Sequence, residues 1–264
     1  MNVRFCPLVS GSSGNSTYIS NGQTHILIDA GVSCKQIVEH INQINQKPEE
    51  LNAIFVSHEH VDHIKGVKIL SKKYNIPVYA TEGTWHGIKG LFPDFPPENI
   101  RYVYPNEMTV VNDICIKPFS TPHDANDPVM YSVFYDKFKM TVATDIGYAT
   151  NVVKENIYDS DVLLIEANHD EAMLKKGSYP WYLKKRILGD QGHLSNICTG
   201  QALSEIMTGR LKYVFLGHLS SENNEPHLAY ETVENILNEN RIKVGTYLKL
   251  DTASRCINSR IIEL

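Results

Sequence analysis

The 264-residue sequence has no apolar run near the ~18 residues needed to cross a bilayer, which leaves out a membrane-spanning helix. Its start, MNVRFCPLVSGSSGNS, lacks an apolar stretch followed by a cleavage site and so carries no expected export signal. Cysteine is sparse. The five residues (Cys6, Cys34, Cys115, Cys198 and Cys256) are scattered and form no C-x-x-C pair, which excludes a disulfide framework and a zinc knuckle. They read as reduced thiols of a cytoplasmic protein. There is no internal repeat, no low-complexity tract and no linker long enough to separate domains; the stretch 93–97, PDFPP, reads as a loop within one domain. Basic excess is also missing: 25 Lys and Arg against 30 Asp and Glu give a net charge of −5, so bulk electrostatics does not mark a nucleic-acid binder. With 42% hydrophobic and 21% charged residues the chain has globular composition and can bury a large core.

What is present is histidine, eleven in all, several of them clustered. Short apolar segments at 3–8, 25–29, 53–56, 78–80, 109–116, 129–135, 140–143, 162–165, 213–216 and 247–250 predict strands. Helices are expected from Ser33, where Ser33 and Gln36 make a capping box, and over 64–74, 194–207 and 229–237. In 64–74, Val67, Ile69 and Leu70 are the apolar positions. Strands ending in polar clusters, with helices outside, predict a layered α/β sandwich.

The strongest signal is Ser57-His58-Glu59-His60-Val61-Asp62-His63, directly after an apolar strand. Three imidazoles and two carboxylates packed so closely serve no purpose in a core, but at a strand end they can wrap divalent cations. His58 and His60, two apart, can face one ion; Asp62 and His63, on the turn into the helix, can face a second. His123, Asp145 and His218 each stand at a strand end further on. His193 opens a helix in GHLSN, and Glu166 ends a strand in EANHD, where it could orient His193. His169, three residues after Glu166, has no readable role.

H-x-H-x-D-H followed by these later motifs resembles the metallo-β-lactamase superfamily. The segments SGSSGNS, SHEHVDHIKG, TPHDANDPVMY, TDIGY, EANHD, ILGDQGHLSN and LGHLSSENN, spread over nearly the whole chain, are similar to its YycJ/WalJ (VicX) group. The resemblance implies a four-layer αββα sandwich, two mixed sheets flanked by helices, as a single domain over 1–264 without an inserted cap. It implies two divalent ions (Mn²⁺, Zn²⁺ or Fe²⁺), with His58, His60 and His123 on one, Asp62, His63 and His218 on the other, and Asp145 bridging. Asp29, in LIDAG, would support the metal loop through hydrogen bonds. Asp62, Glu166 and His193 would be catalytic: metal-activated hydroxide attacks phosphorus and His193 protonates the leaving oxygen. The implied activity is a 5′-to-3′ exonuclease on DNA, less readily RNA, associated with repair.

A polynucleotide finds some independent support. Residues 175–186, KKGSYPWYLKKR, combine five positive charges with Tyr179, Trp181 and Tyr182, which could follow phosphates and stack on bases, although a solvated helix face explains them equally. Lys65, Lys68, Lys72 and Lys73 add charge near the metal loop. Substrate contacts are expected from Ser12, Asn15, Lys184, Lys185, Arg186, Ser195 and Asn196. The 10–16 loop reads either as a phosphate cradle or as a turn buttressing the site. Two alternatives keep the metal residues: hydrolysis of a small phosphodiester or thioester, and a non-catalytic, metal-stabilised regulator linked to a two-component system.

Overall fold

The structure is a computed structural model describing residues 3–264. Among the described residues fourteen strands form two seven-stranded sheets. In chain order the amino-terminal half holds β1 (Arg4–Val9), β2 (Ser16–Ser20), β3 (His25–Ile28), α1 (Cys34–Gln43), β4 (Ala53–Phe55), α2 (Val61–Ile64), α3 (Val67–Tyr74), β5 (Val78–Ala80), α4 (Glu82–Leu91) and β6 (Ile100–Tyr102). There follow β7 (Thr109–Val111), β8 (Ile114–Ser120), β9 (Val129–Tyr135), β10 (Phe138–Ala143), α5 (Asn151–Ile157), β11 (Val162–Glu166), α6 (Glu171–Lys176), α7 (Trp181–Ile187), α8 (Asn196–Ile206), β12 (Tyr213–Gly217), α9 (Pro226–Glu239), β13 (Lys249–Thr252) and β14 (Ile262–Glu263).

The first sheet runs β14-β1-β2-β3-β4-β5-β6 and the second β13-β12-β11-β10-β9-β8-β7. Each mixes antiparallel hairpins with a parallel run, β3 to β6 in one and β10 to β13 in the other. The sheets pack face to face. Phe5, Ile26 and Phe55 of one meet Ile116, Tyr131 and Phe215 of the other in a buried apolar layer. A second apolar cluster joins the first sheet to α1, α3 and α4, and a third joins the second sheet to α5, α8 and α9. This is the αββα sandwich expected from the sequence.

The capping box of α1 forms as read, with Ser33 accepting from the Gln36 N–H. The single helix expected over 64–74 is instead two, broken at Gly66. There a Cβ would lie 2.4 Å from the Val32 carbonyl, so the backbone of the break packs directly on the loop after β3. Val67 and Leu70 are fully buried, but Ile69 is 59% exposed and faces solvent. Among the described residues no helix is long and apolar enough to cross a membrane.

A metal-type site where the two sheets meet

Parallel strands align their carboxyl ends, and the candidate donors gather at that end. Asp29 follows β3, the H-x-H-x-D-H loop follows β4, and His123, Asp145, Glu166 and His218 come from the ends of β8, β10, β11 and β12. Asp29, Asp145 and His218 sit at positive φ (62°, 62° and 52°), a left-handed conformation that turns each side chain inward just as its strand stops. Holding such residues there costs about 1–3 kcal/mol each and is common at functional sites. The loop after β3 can approach because of Gly31, where a Cβ would stand 1.6 Å from the Asp62 carbonyl oxygen.

The side chains converge as two groups of donors. His58 Nε2 lies 3.0 Å from His60 Nδ1, and His123 Nε2 lies 3.3 Å from the same atom. The second group is Asp62, His63 and His218, with Asp62 Oδ2 3.6 Å from both His63 Nε2 and His218 Nε2. Asp145 stands between the groups. Its Oδ1 is 3.0 Å from His218 Nδ1 and 3.6 Å from His123 Nε2, and its Oδ2 is 3.2 Å from His63 Nε2.

Burial opposes ionisation of Asp62, Asp145 and Glu166, yet the imidazoles beside them hold all three carboxyls below the usual range, Glu166 at about 2. Burial also opposes charge on His63 and His218, but Asp145 and the other nearby carboxylates raise both well above the ordinary imidazole value. His58 is driven well down by burial, with His63 adding to it. The site thus keeps anionic carboxylates in a buried place and balances them with protons on imidazoles. Divalent cations would replace those protons against the same counter-charge. They would also engage Asp145 Oδ2 and His218 Nδ1, which are buried without a hydrogen bond. The nitrogen and oxygen donor set fits such ions.

Supporting contacts fix the donors. Ser57 donates from N–H and Oγ to the two Asp29 oxygens at 2.8 and 2.9 Å, and His63 Nδ1 lies 2.8 Å from Asp29 Oδ2. That contact leaves His63 Nε2 facing the centre. Asp29→Asn, which keeps the left-handed backbone (φ 62°) but removes the charge, is therefore expected to lower divalent-metal affinity 10- to 100-fold in a chelator-competition titration, with the fold retained by circular dichroism.

His193 Nδ1 lies 2.7 Å from Glu166 Oε1 and 3.8 Å from Asp145 Oδ1. The Ile146 and Leu194 N–H groups donate to Glu166 Oε2 at 2.8 and 3.1 Å, so the carboxylate cannot swing away. His193 is half-buried and looks into a central pocket of about 250 Å³ shared with His60, Asp62, Asp145 and His218.

The expected substrate contacts divide. Ser12 and Arg186 line the central pocket, although Arg186 is ion-paired with Asp124. Lys185 is exposed and lies off the centre beside Asp124. Asn15 is buried and donates to Asp62 Oδ2 at 3.4 Å, with His63 Nε2 3.1 Å away, so it buttresses the metal loop. Ser10 does the same for the other sheet, accepting from the His218 N–H at 2.9 Å. Of the two readings of the 10–16 loop, these contacts favour the buttress. Lys184 is buried, its ammonium bonded to the carbonyls of Lys175 and Gly177 at 2.8 and 2.7 Å; it ties α6 to α7 instead of meeting substrate. Ser195 caps α8, and Asn196 is buried against Asn224; neither faces the central pocket. Trp181 and Tyr182 are 66% and 75% exposed, which leaves their rings free at the surface.

Sequence reading missed Asn168, which lines the central pocket and donates to the His218 carbonyl at 3.0 Å; Tyr179, one of the three aromatics picked out as stacking rings, stands in the pocket wall. A polar residue two positions past Glu166 was the available signal for Asn168. His169 is buried with neither ring nitrogen hydrogen-bonded, and burial pushes it down to about 4.

Comparison with known proteins agrees with this geometry. The family model described as a beta-lactamase superfamily domain matches residues 24–215. The chain is 39% identical over 249 residues to the exodeoxyribonuclease WalJ of Streptococcus pneumoniae, covering 94% of this chain and 93% of that one. It is 36% identical over 245 residues to the exodeoxyribonuclease YycJ of Bacillus anthracis, covering 93% of each. Among solved structures, the metallo-beta-lactamase fold protein YhfI from Bacillus subtilis superposes over the full length of both chains with a TM-score of 0.74 at 13% identity. Fold, donor constellation and near-full-length similarity agree, and the chain belongs to the metallo-β-lactamase superfamily, within its WalJ/YycJ group.

Proposed function

We propose that the chain is a cytoplasmic, single-domain, metal-dependent exonuclease that shortens DNA from the 5′ end. The observation that carries this reading is the buried Glu166 carboxylate on His193, 2.7 Å apart, opening onto the same pocket as the two donor groups. A site that only held structural ions would have no use for a spare imidazole. The close relatives are named exodeoxyribonucleases over nearly their whole length, which supports DNA as substrate. The exposed rings of Trp181 and Tyr182 offer stacking surface for unpaired bases.

Two divalent ions, held by His58, His60 and His123 and by Asp62, His63 and His218 with Asp145 shared, would lower the pKa of water and neutralise phosphoryl charge. Manganese, zinc and iron all suit this donor set. The chain supplies the rest. Glu166 takes His193 Nδ1, so Nε2 is the atom free to give a proton. As water oxygen bonds to phosphorus and the P–O bond to the leaving group breaks, His193 protonates the departing oxygen and regains its proton from solvent. General acid catalysis of this kind contributes about 10²–10⁴ in rate.

The test uses 5′- and 3′-labelled single- and double-stranded DNA with Mn²⁺, Zn²⁺ or Fe²⁺. Release of the 5′ label as a mononucleotide, before the 3′-labelled strand falls to short products, is the expected result. DNA left intact with every metal, by protein that still hydrolyses bis-p-nitrophenyl phosphate, would move the substrate to a small phosphodiester.

A further inference from the structure

Two further cavities adjoin the central pocket, through different walls. One, of about 280 Å³, is entered past His193 and has Glu171 and Glu205 in its lining. The other, of about 740 Å³, is entered between Ser12 and Tyr179 and has no carboxylate in its lining. That larger groove presents Arg255 together with the hydroxyls of Ser12, Ser13, Ser221 and Thr252.

The cations near the centre are not equivalent. Lys154, in the smaller cavity, pairs with Glu205, and Arg186 pairs with Asp124. Among the described residues Arg255 has neither an ion-pair nor a hydrogen-bond partner for its guanidinium. Its position is nevertheless defined. A Cβ at Gly11 would lie 2.6 Å from Arg255 Cγ, so the aliphatic stem rests on the bare backbone beside Ser12. Arg255 follows β13, the parallel neighbour of the strand that delivers His218, so the groove lies at the same end of the sheet as the metal-type site.

We propose that this groove binds the retained DNA strand, with Arg255 and the surrounding hydroxyls holding its backbone phosphates. The inference rests on the nuclease reading and extends it to direction across the site. His193 stands between the centre and the smaller cavity, so the oxygen it protonates belongs to the part of the strand on that side. A space of about 280 Å³ takes a ligand the size of one nucleotide, at the lower end of small-molecule pockets. The phosphate and the remaining strand stay on the side of Ser12 and Tyr179. There a roomier groove with a cation and no acid in its lining complements a polyanion, whereas the acidic lining of the smaller cavity does not.

The experiment compares wild type, Arg255→Ala and Arg255→Lys as full-length, metal-loaded enzymes. The measurements are KM and kcat on a labelled 30-mer at 50–200 mM salt, anisotropy binding of a cleavage-resistant phosphorothioate 30-mer, and turnover of bis-p-nitrophenyl phosphate, which reaches only the centre. Arg255→Ala is expected to raise KM and Kd about 10-fold with kcat within twofold and bis-p-nitrophenyl phosphate turnover unchanged. Loss of one phosphate contact also flattens the salt dependence, so wild type loses about threefold more affinity than Arg255→Ala over that salt range. Arg255→Lys restores the salt slope. Wild-type KM, Kd and slope in Arg255→Ala overturn the proposal, as does loss of bis-p-nitrophenyl phosphate turnover, which would put Arg255 at the reacting centre. Wild type that turns over the small diester yet neither binds nor cuts DNA overturns the nuclease reading itself, and the groove assignment falls with it.

Discussion

Asp145→Asn is expected to reduce DNA cleavage by at least about 10⁴-fold and to lower bound metal from the proposed two ions per chain to one or none, measured by plasma mass spectrometry after desalting. The carboxylate is 2% exposed and contacts His63, His123 and His218 within 3.6 Å, so it is the one anion that both donor groups share. Asparagine is the informative replacement. The backbone here has φ 62°, which asparagine tolerates and alanine does not, so Asn removes charge without distorting the turn. Asp145→Ala should show the same loss of activity and an added loss of stability from left-handed strain, about 1 kcal/mol or more. Two tightly held ions in Asp145→Asn would mean that the carboxylate does not bridge.

His193→Ala is expected to keep both ions and lose about 10²–10⁴ in kcat on DNA. The ring lies with its centroid 5.1 Å from that of His123 and 5.2 Å from that of His218. It stands outside the His58, His60, His123 and Asp62, His63, His218 triads, although it also clusters with Asp145, Glu166 and His218. The leaving group decides whether this is acid catalysis. A deoxyribose alkoxide needs a proton as it departs, whereas p-nitrophenolate leaves unaided. The variant should therefore fail on DNA while hydrolysing thymidine p-nitrophenyl phosphate within a few-fold of wild type. An equal loss on both substrates would reduce His193 to a structural component of the pocket. Glu166→Gln should lie between wild type and His193→Ala on DNA, since the amide can still hold the ring but without the charge that strengthens the hydrogen bond to Nδ1.

The readable regions of the site were those where chemistry is local in sequence. His58, His60, Asp62 and His63 fall within six positions, and a single strand-to-helix turn brings them together. Asp145 and His218 were legible because polar residues ending apolar runs stand out. Glu166 and His193, 27 positions apart, could be read as a pair and the resemblance supported it, but nothing in either segment encodes the 2.7 Å contact. The substrate residues were harder because side-chain direction depends on partners far along the chain. Lys184 looked like its neighbours in a basic run, but two carbonyls at the end of α6 claim its ammonium. Asn15 and Ser10 looked like turn residues and proved to brace opposite halves of the centre. Arg255 sits in no motif. Its importance appears only when β13 brings it beside the Gly11–Ser12 backbone. Helices α5 and α6 were missed because they run only seven and six residues, and α4 because Gly83, Gly87 and Gly90 interrupt its pattern; α7 was read only as one of two alternatives for the basic run.

The seam between the sheets has a consequence for the protein's life before it is fully folded. His58, His60, Asp62 and His63 belong to the amino-terminal half, while His123, Asp145, Glu166, His193 and His218 belong to the carboxy-terminal half. Neither half alone completes the His58, His60 and His123 triad or the Asp62, His63 and His218 triad. A nascent or half-denatured polypeptide therefore lacks these two constellations. They come into being only where the two halves lie against each other.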